Sequence, residues 1–289
     1  MTEASLSTAP TPDKAEYNAF FPSPASLAQF TSPKTDLSGA DYPAPYKGPK
    51  KILLIAADER YLPTETGKLF STGNHPVETL LPMYHLHKAG FKFDVATLSG
   101  NAVKFEMWAM PHEDTQIMGL YETYLPQFQK PLKLSDITSQ LTENSDYLGI
   151  FIPGGHGALI GLPDSPDVAK ALEWALAANR YIISLCHGPA AFLAPGNVHA
   201  DRPSPFTGYS ICAFPDTIDA MLPDLGYTPG ALTWAFGKSL QAQGIHIINH
   251  EATGATHQDR KVITGDSPFA ANALGKRAAA SLLAEMAGL

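Results

Sequence analysis

Cys186 and His187 sit in the run Tyr181-Ile182-Ile183-Ser184-Leu185-Cys186-His187-Gly188-Pro189-Ala190-Ala191. Its first half is apolar and β-branched, the pattern of a buried strand. Its second half opens with Gly-Pro and small residues, the pattern of a tight turn into a helix. A cysteine at such a junction is thrust out of the sheet and held rigidly, as the serine of a nucleophile elbow is. A helix beginning just after Cys186 presents unpaired N–H groups and the positive end of its dipole, which favours the thiolate and lowers the thiol pKa. His187, adjacent, adds positive charge or moves protons. The chemistry predicted is nucleophilic catalysis by Cys186. The competing reading is a buried structural cysteine, the commoner fate of this residue type.

Three further groups have types suited to that chemistry. Gly154-Gly155-His156-Gly157 follows an apolar run, and adjacent glycines let a backbone turn its N–H groups toward a developing oxyanion, so Gly154 and Gly155 are candidates for substrate binding. The spacing of Gly155, Gly157 and Gly161 is not that of a dinucleotide fingerprint. Glu78, in His75-Pro76-Val77-Glu78, falls in the first turn of a helix, where a carboxylate ordinarily complements the helix dipole. Buried beside Cys186 it would have a raised pKa and could carry a proton. An acid to orient His187 is offered by Phe214-Pro215-Asp216-Thr217-Ile218-Asp219, and the residues alone do not choose between Asp216 and Asp219.

The elements that must hold these groups alternate between strand and helix. Lys51 to Ala57 is a continuous apolar run ending at Asp58, read as a central parallel strand buried on both faces. Pro76 to Lys88 reads as a helix capped by Asn74 or His75 and ended by Gly90. Phe91–Leu98, Tyr147–Pro153 and the run into Cys186 are further strands. Tyr209–Phe214, with Cys212 inside it, Ile245–Asn249 and Lys261–Thr264 read as later ones. Ser165-Pro166-Asp167 starts a helix to about Ala178, and Ser267 to Met286 is a closing helix. Such alternation means an α/β fold with a doubly wound parallel sheet and helices on both faces. Ligands bind beyond the carboxyl ends of strands in such sheets, and Asp58, Gly154–Gly157 and Cys186 all fall there. Residues 1–49, rich in Pro, Ser, Thr and Ala, read as an arm over the surface of a domain at 50–289, disordered at its start and anchored by Phe20-Phe21-Pro22 and Tyr42 to Tyr46. Residues 101–146, with Met107, Trp108, Met110, Tyr121, Tyr124 and Phe128 among acids and prolines, read as an insertion forming a lid or small lobe.

Composition sets the class. The chain has 289 residues, 44% of them hydrophobic, enough for a large core. No apolar stretch approaches the roughly 18 to 20 residues a membrane span needs. Residues 1–17 have neither a basic nor an apolar leader segment, so no secretory signal is expected. Two cysteines fit a reducing compartment and point to the cytoplasm. A net charge of −8 with no Lys/Arg cluster argues against a nucleic-acid partner.

The chain resembles the DJ-1/PfpI superfamily and, within it, the Hsp31-type branch of chaperone, glyoxalase III and protein deglycase members. The resemblance covers nearly the whole chain. It runs through Asn18-Ala19-Phe20-Phe21-Pro22-Ser23, Ala56-Ala57-Asp58-Glu59-Arg60-Tyr61-Leu62-Pro63, Gly73-Asn74-His75-Pro76 with Glu78-Thr79-Leu80, and Trp108-Ala109-Met110-Pro111-His112. It continues in Pro153 to Pro163, Ser184-Leu185-Cys186-His187-Gly188-Pro189-Ala190-Ala191-Phe192, Tyr209 to Asp216 and Thr264-Gly265-Asp266-Ser267-Pro268.

The resemblance implies a flavodoxin-like sandwich with an added lobe, assembled as a homodimer. It implies a Cys186-His187-Asp219 triad, with Glu78 as the acid beside the thiol and the backbone around Gly155 and His187 binding an oxyanion. The activity expected is a cofactor-independent glyoxalase III-type lyase, of the D-lactate dehydratase class, converting methylglyoxal or another small 2-oxoaldehyde to lactate through a hemithioacetal on Cys186. Deglycation of proteins is a secondary activity. The alternatives are a holdase chaperone that binds unfolded or glycated proteins on the Met- and aromatic-rich insertion, and a Cys peptidase. In one respect the chain departs from bacterial members, which have a two-His, one-carboxylate metal site: the matching positions are His87, Lys92 and Tyr124, so no metal is expected. The loop from Pro195 to Phe206 also looks longer than in those members, and the pocket rim is expected to differ there.

Overall fold

The computed structural model describes residues 5–288. The expected disorder at the start of the arm concerns residues outside that range for 1–4. The main sheet has seven strands: β1 Lys51–Ile55, β2 Lys92–Thr97, β3 Leu132–Lys133, β4 Tyr147–Ile152, β5 Tyr181–Leu185, β6 Thr256–Asp259 and β7 Val262–Gly265. Their spatial order is β6-β7-β5-β4-β1-β2-β3, and only the edge pair β6–β7 is antiparallel.

Sequence explains the layering. In β1, Ile52 and Leu54 face one core and Leu53 and Ile55 the other, the two-faced burial that a continuous apolar run predicts. The first core is closed by helices α1 Pro76–Lys88, α2 Thr115–Gln129 and α4 Ala271–Ala287, through Leu80, Met83, Ile117, Leu120, Leu274 and Leu282. The second is closed by α3 Pro166–Ala177, through Val168 and Leu172. The α3 start is as its sequence dictates: Ser165 accepts the Val168 amide and Pro166 fills the first turn.

Residues 101–146 pack onto this sandwich. Ile117, Leu120, Tyr124 and Phe128 of α2 join the first core, and β3 adds to the sheet edge. Of the side chains named for the lid, Tyr124 and Phe128 are buried by α2, while Met107 is exposed. Within the described residues the arm is ordered. Its strands Thr11–Pro12 and Ala19–Phe21 join Leu69–Ser71 and Tyr61–Pro63 in a separate four-stranded sheet. Further along, Tyr46 stacks on Phe91 at 5.1 Å and Tyr42 donates its hydroxyl proton to His85 Nδ1 at 2.8 Å or accepts from it.

Two expected strands are far shorter than predicted. Only Ser210–Ile211 and His246–Ile247 pair, in a two-stranded sheet of their own. Cys212 lies just past the pairing, because the next backbone groups are taken by side chains. Thr264 accepts the Cys212 amide, and Asn249 bonds both the amide and the carbonyl of Ala213. No helix among the described residues is long and apolar enough to cross a membrane.

Candidate active site

β4 and β5 are parallel neighbours in register, with Ile152 opposite Ser184. Their carboxyl ends therefore deliver Gly154 and Cys186 to the same level. The Cys186 amide donates to Gly265 O at 2.9 Å and its carbonyl accepts from Phe214 N at 2.9 Å, so both sides of the turn are pinned. Cys186 has φ +56°, one of four non-glycine residues with positive φ among those described. That conformation is costly for a side chain and is the mark of an elbow. The predicted helix directly after Cys186 is corrected: the chain makes 3-10 turns over Gly188–Leu193 and then a five-residue helix, Ala194–Val198. A Cβ at Gly188 would sit 2.4 Å from Ser184 Oγ, and the chain hugs the strand too closely there for a regular α-helical start.

Glu78 comes from the first turn of α1, which points at this corner because the His75 amide donates to Gly154 O at 3.0 Å. Glu78 is 1% exposed and its Oε2 has no hydrogen-bond partner. A Cβ on Gly154 would fall 1.9 Å from Glu78 Oε2 and 2.7 Å from Cys186 Cβ. Glu78 and Cys186 thus close over Gly154, and that position is glycine because they do. Gly155 has φ +94°, and a Cβ there would strike His75 N at 2.4 Å.

Burial raises the Glu78 carboxyl far above its ordinary value, opposed by hydrogen bonds from Cys186 and the Gly155 amide. The thiolate-favouring pKa predicted for Cys186 is corrected too. Burial pushes the thiol up, and an ionised Glu78 pushes it further. A proton on Glu78 removes that repulsion and gives the sulfur a donor, so thiol and carboxyl work as one proton-sharing pair.

His187 Nδ1 lies 3.3 Å from Cys186 Sγ, and its Nε2 lies 3.0 and 2.9 Å from the two oxygens of Asp219. Asp219 ends the short helix Asp216–Asp219. Asp216, three residues earlier, faces away: it accepts the Gly237 and Lys238 amides at 2.9 and 2.8 Å and caps the helix Phe236–Ala242. Asp219 holds a second imidazole as well, His156 Nε2 at 3.2 Å, and the two rings lie 4.1 Å apart. Burial alone would raise Asp219; His187 and the hydrogen bonds from both histidines outweigh it and hold the carboxyl well below its usual range.

A cavity of about 260 Å³ opens at this corner, lined by Glu78, Gly155, His156, Cys186 and His187. Its wall also includes residues the sequence did not single out: His75, Glu106, Tyr227 and, from the arm, Phe30. Glu106 is 0% exposed, and burial raises its pKa to about 7 against the pull of His156, Thr72 and Arg60. Burial, with His156 and His187 nearby, lowers His75 to about 3. Glu106 stands directly before Met107-Trp108-Ala109-Met110, and nothing in its spacing marks a buried acid. Asp58, at the end of β1, is not part of the corner; it accepts the Ser99 amide at 2.9 Å. Nor does any residue of 195–206 line the cavity, so that loop does not shape its rim.

The donor set at the departing metal positions does not fit a divalent cation. His87 Nδ1 pairs with Tyr124 Oη at 3.2 Å, burial raises the Tyr124 phenol to about 12, and Lys92 is an exposed cation. Elsewhere among the described residues His156, His187 and Asp219 cluster within 4.8 Å, but both imidazoles already spend Nε2 on Asp219.

No protein-family model matches the chain. It is 62% identical over 279 residues to the protein/nucleic acid deglycase HchA of Escherichia coli O1:K1, covering 96% of this chain and 97% of that protein. Among solved structures, the Rapid Encystment Protein 24 KDa of Francisella tularensis has a TM-score of 0.65 at 20% identity, over 81% of this chain and 99% of that one. Glyoxalase III of Candida albicans has a TM-score of 0.62 at 22% identity, over 80% and 97%. With the α/β fold shared with these structures and 96% of the chain matched at 62% identity, the chain belongs to the HchA (Hsp31) protein/nucleic acid deglycase family.

Proposed function

We propose that the protein is a glutathione-independent glyoxalase and deglycase that works through Cys186. The observation that carries this reading is a strained, buried cysteine and a buried Glu78 that close together over Gly154. A thiol alone adds to an aldehyde; a thiol with a neighbouring proton carrier isomerises the adduct.

The scheme uses the shared proton of the pair. Cys186 Sγ attacks the aldehyde carbon of a 2-oxoaldehyde, and the new alkoxide takes a proton from Glu78. Glu78, now a carboxylate, removes the hydrogen of that same carbon and returns it to the neighbouring carbon, as the proton of the new C1 hydroxyl passes to the C2 oxygen. The product is a thioester of the 2-hydroxy acid, and water releases it, with His187 oriented by Asp219 as the base. The hydrogen moves as a proton between adjacent carbons, so the scheme calls for no hydride acceptor. The reaction class is that of a glyoxalase III-type lyase. If the aldehyde arrives as its adduct with an amine, release of the amine from the same intermediate is deglycation.

The name of the relatives includes nucleic acid as well as protein, and glycated bases therefore join glycated proteins as substrates of this reading. The chain's charge then argues only against an extended phosphate-binding surface. A cytoplasmic homodimer completes the picture, and light scattering checks its mass. The deciding experiment is an assay of purified protein with methylglyoxal and no glutathione, beside Cys186→Ala. Lactate formed by wild type and not by Cys186→Ala supports the reading, and wild type without turnover overturns it. Aggregation suppression that survives in Cys186→Ala would leave room for an independent chaperone role.

A further inference from the structure

We propose that Glu106 is a second acid–base residue of this site: its Oε2 bonds the 2-oxo oxygen of the substrate and carries a proton between the two substrate oxygens while Glu78 carries one between the two carbons. The inference rests on the glyoxalase reading.

Buried polar atoms are almost always paired, and the exceptions call for an explanation. Three are orphaned around one cavity here: Glu78 Oε2, Glu106 Oε2 and His75 Nδ1. The Thr72 hydroxyl and the His156 amide lean on the Glu106 carboxyl, yet its Oε2 makes no hydrogen bond. The nearby Arg60 guanidinium bonds the carbonyls of Thr72 and Phe105 at 3.3 and 3.4 Å and forms no ion pair with the carboxyl. A fully buried acid kept only for stability would be paired. The Thr72 hydroxyl donates to Glu106 Oε1 at 2.6 Å. With that oxygen occupied by a donor, a proton on this carboxyl belongs on Oε2, the atom without a partner.

Isomerisation of the hemithioacetal needs two proton movements, and one carboxyl supplies one of them. Glu78 takes the hydrogen from C1 as Glu106 gives its proton to the C2 oxygen, and the C1–C2 bond becomes the double bond of an enediol. Glu78 then returns its proton to C2 while the C1 hydroxyl gives its proton to Glu106. A thioester remains at C1 and a hydroxyl at C2. Both carboxyls leave the isomerisation as they entered it, and no electron acceptor is involved. The groups facing Glu106 suit a carboxyl that stays protonated near neutrality: the acids Glu78 and Tyr227 on one side, and His156 and Arg60, which only partly offset burial, on the other.

The test is Glu106→Gln in the full chain, assayed with methylglyoxal without glutathione across pH 5–9. The amide keeps the size and a hydrogen-bond donor but cannot exchange a proton. The expected result is a loss in kcat of about a hundredfold or more. Wild type should lose activity as pH rises through about 7, and that limb should be missing from the variant. Cys186 should still react with iodoacetamide at the wild-type rate, which shows the corner intact. Turnover within about threefold of wild type, or an unchanged limb, overturns the proposal. Wild type that makes no lactate overturns the glyoxalase reading itself, and the two failures are distinct.

Discussion

The proton that Cys186 and Glu78 share is worth more than either charge. Burial opposes both anions, so the pair is poised to release a nucleophile only when a substrate takes up the proton. Glu78→Gln keeps shape and packing and removes the acceptor. Its turnover with methylglyoxal should fall by about a hundredfold to ten-thousandfold, with no drop in melting temperature; near wild-type turnover would reduce Glu78 to a helix-dipole acid. Glu106 gives a second readout, in stability. Its folded pKa of about 7 lies above the ordinary 4.5, so between those values the folded state binds more protons than the unfolded one. The stability it contributes is fully present below about pH 4.5 and is lost as pH rises through 7, a change of about 3 kcal/mol. Chemical denaturation of wild type and Glu106→Gln should therefore diverge from pH 5 to 8, with wild type the one that weakens. Parallel profiles would show that Glu106 is not protonated in the fold.

At the scale of elements, much of the corner was legible. The apolar runs of β1, β4 and β5 and the Gly-Pro turn after Cys186 carry their structure in local pattern. Cys186, Glu78 and the Gly154-Gly155 turn were placed by it. What pattern could not give was depth. A helix N-terminus and a tight 3-10 turn share the same Gly-Pro signal, so the direction of the Cys186 shift came out opposite. Glu106 was invisible because a buried acid is defined by what folds over it. The choice between Asp216 and Asp219, open from the residues alone, turns on a one-turn difference in direction. It can be tested by that difference: Asp216→Ala removes the cap of the Phe236–Ala242 helix and should cost about 1 kcal/mol in stability with turnover kept. Asp219→Asn should cut turnover, because His187 loses its orienting carboxylate. Equal effects on turnover would undo the assignment. Between α1, β2 and α2, His87 offers the one ordinary metal donor of the His87, Lys92 and Tyr124 trio. Metal analysis of untagged protein should find well under one zinc per chain, and chelators should leave turnover intact; stoichiometric zinc lost in His87→Ala would show a rebuilt site.

At the scale of the molecule, the arm belongs to the active corner. Its short helix Pro24–Phe30 ends in a ring that lines the cavity and packs edge-on against Tyr227 at 5.9 Å. Phe30→Ala should raise KM for 2-oxoaldehydes with kcat nearly unchanged, since a wall ring binds ground and transition states alike. A fall in kcat alone would mean that the arm reaches the chemistry.

The register of β5 against β7 carries a consequence for synthesis. The amide of Cys186 is held by Gly265, a residue the ribosome adds long after the cysteine. The elbow cannot be set until β7 has emerged and docked, so a nascent chain carries Cys186 as an ordinary flexible thiol among small aldehydes and its own amines. Its catalytic geometry arrives only when translation is nearly over, and chains terminated before β7 are released without it.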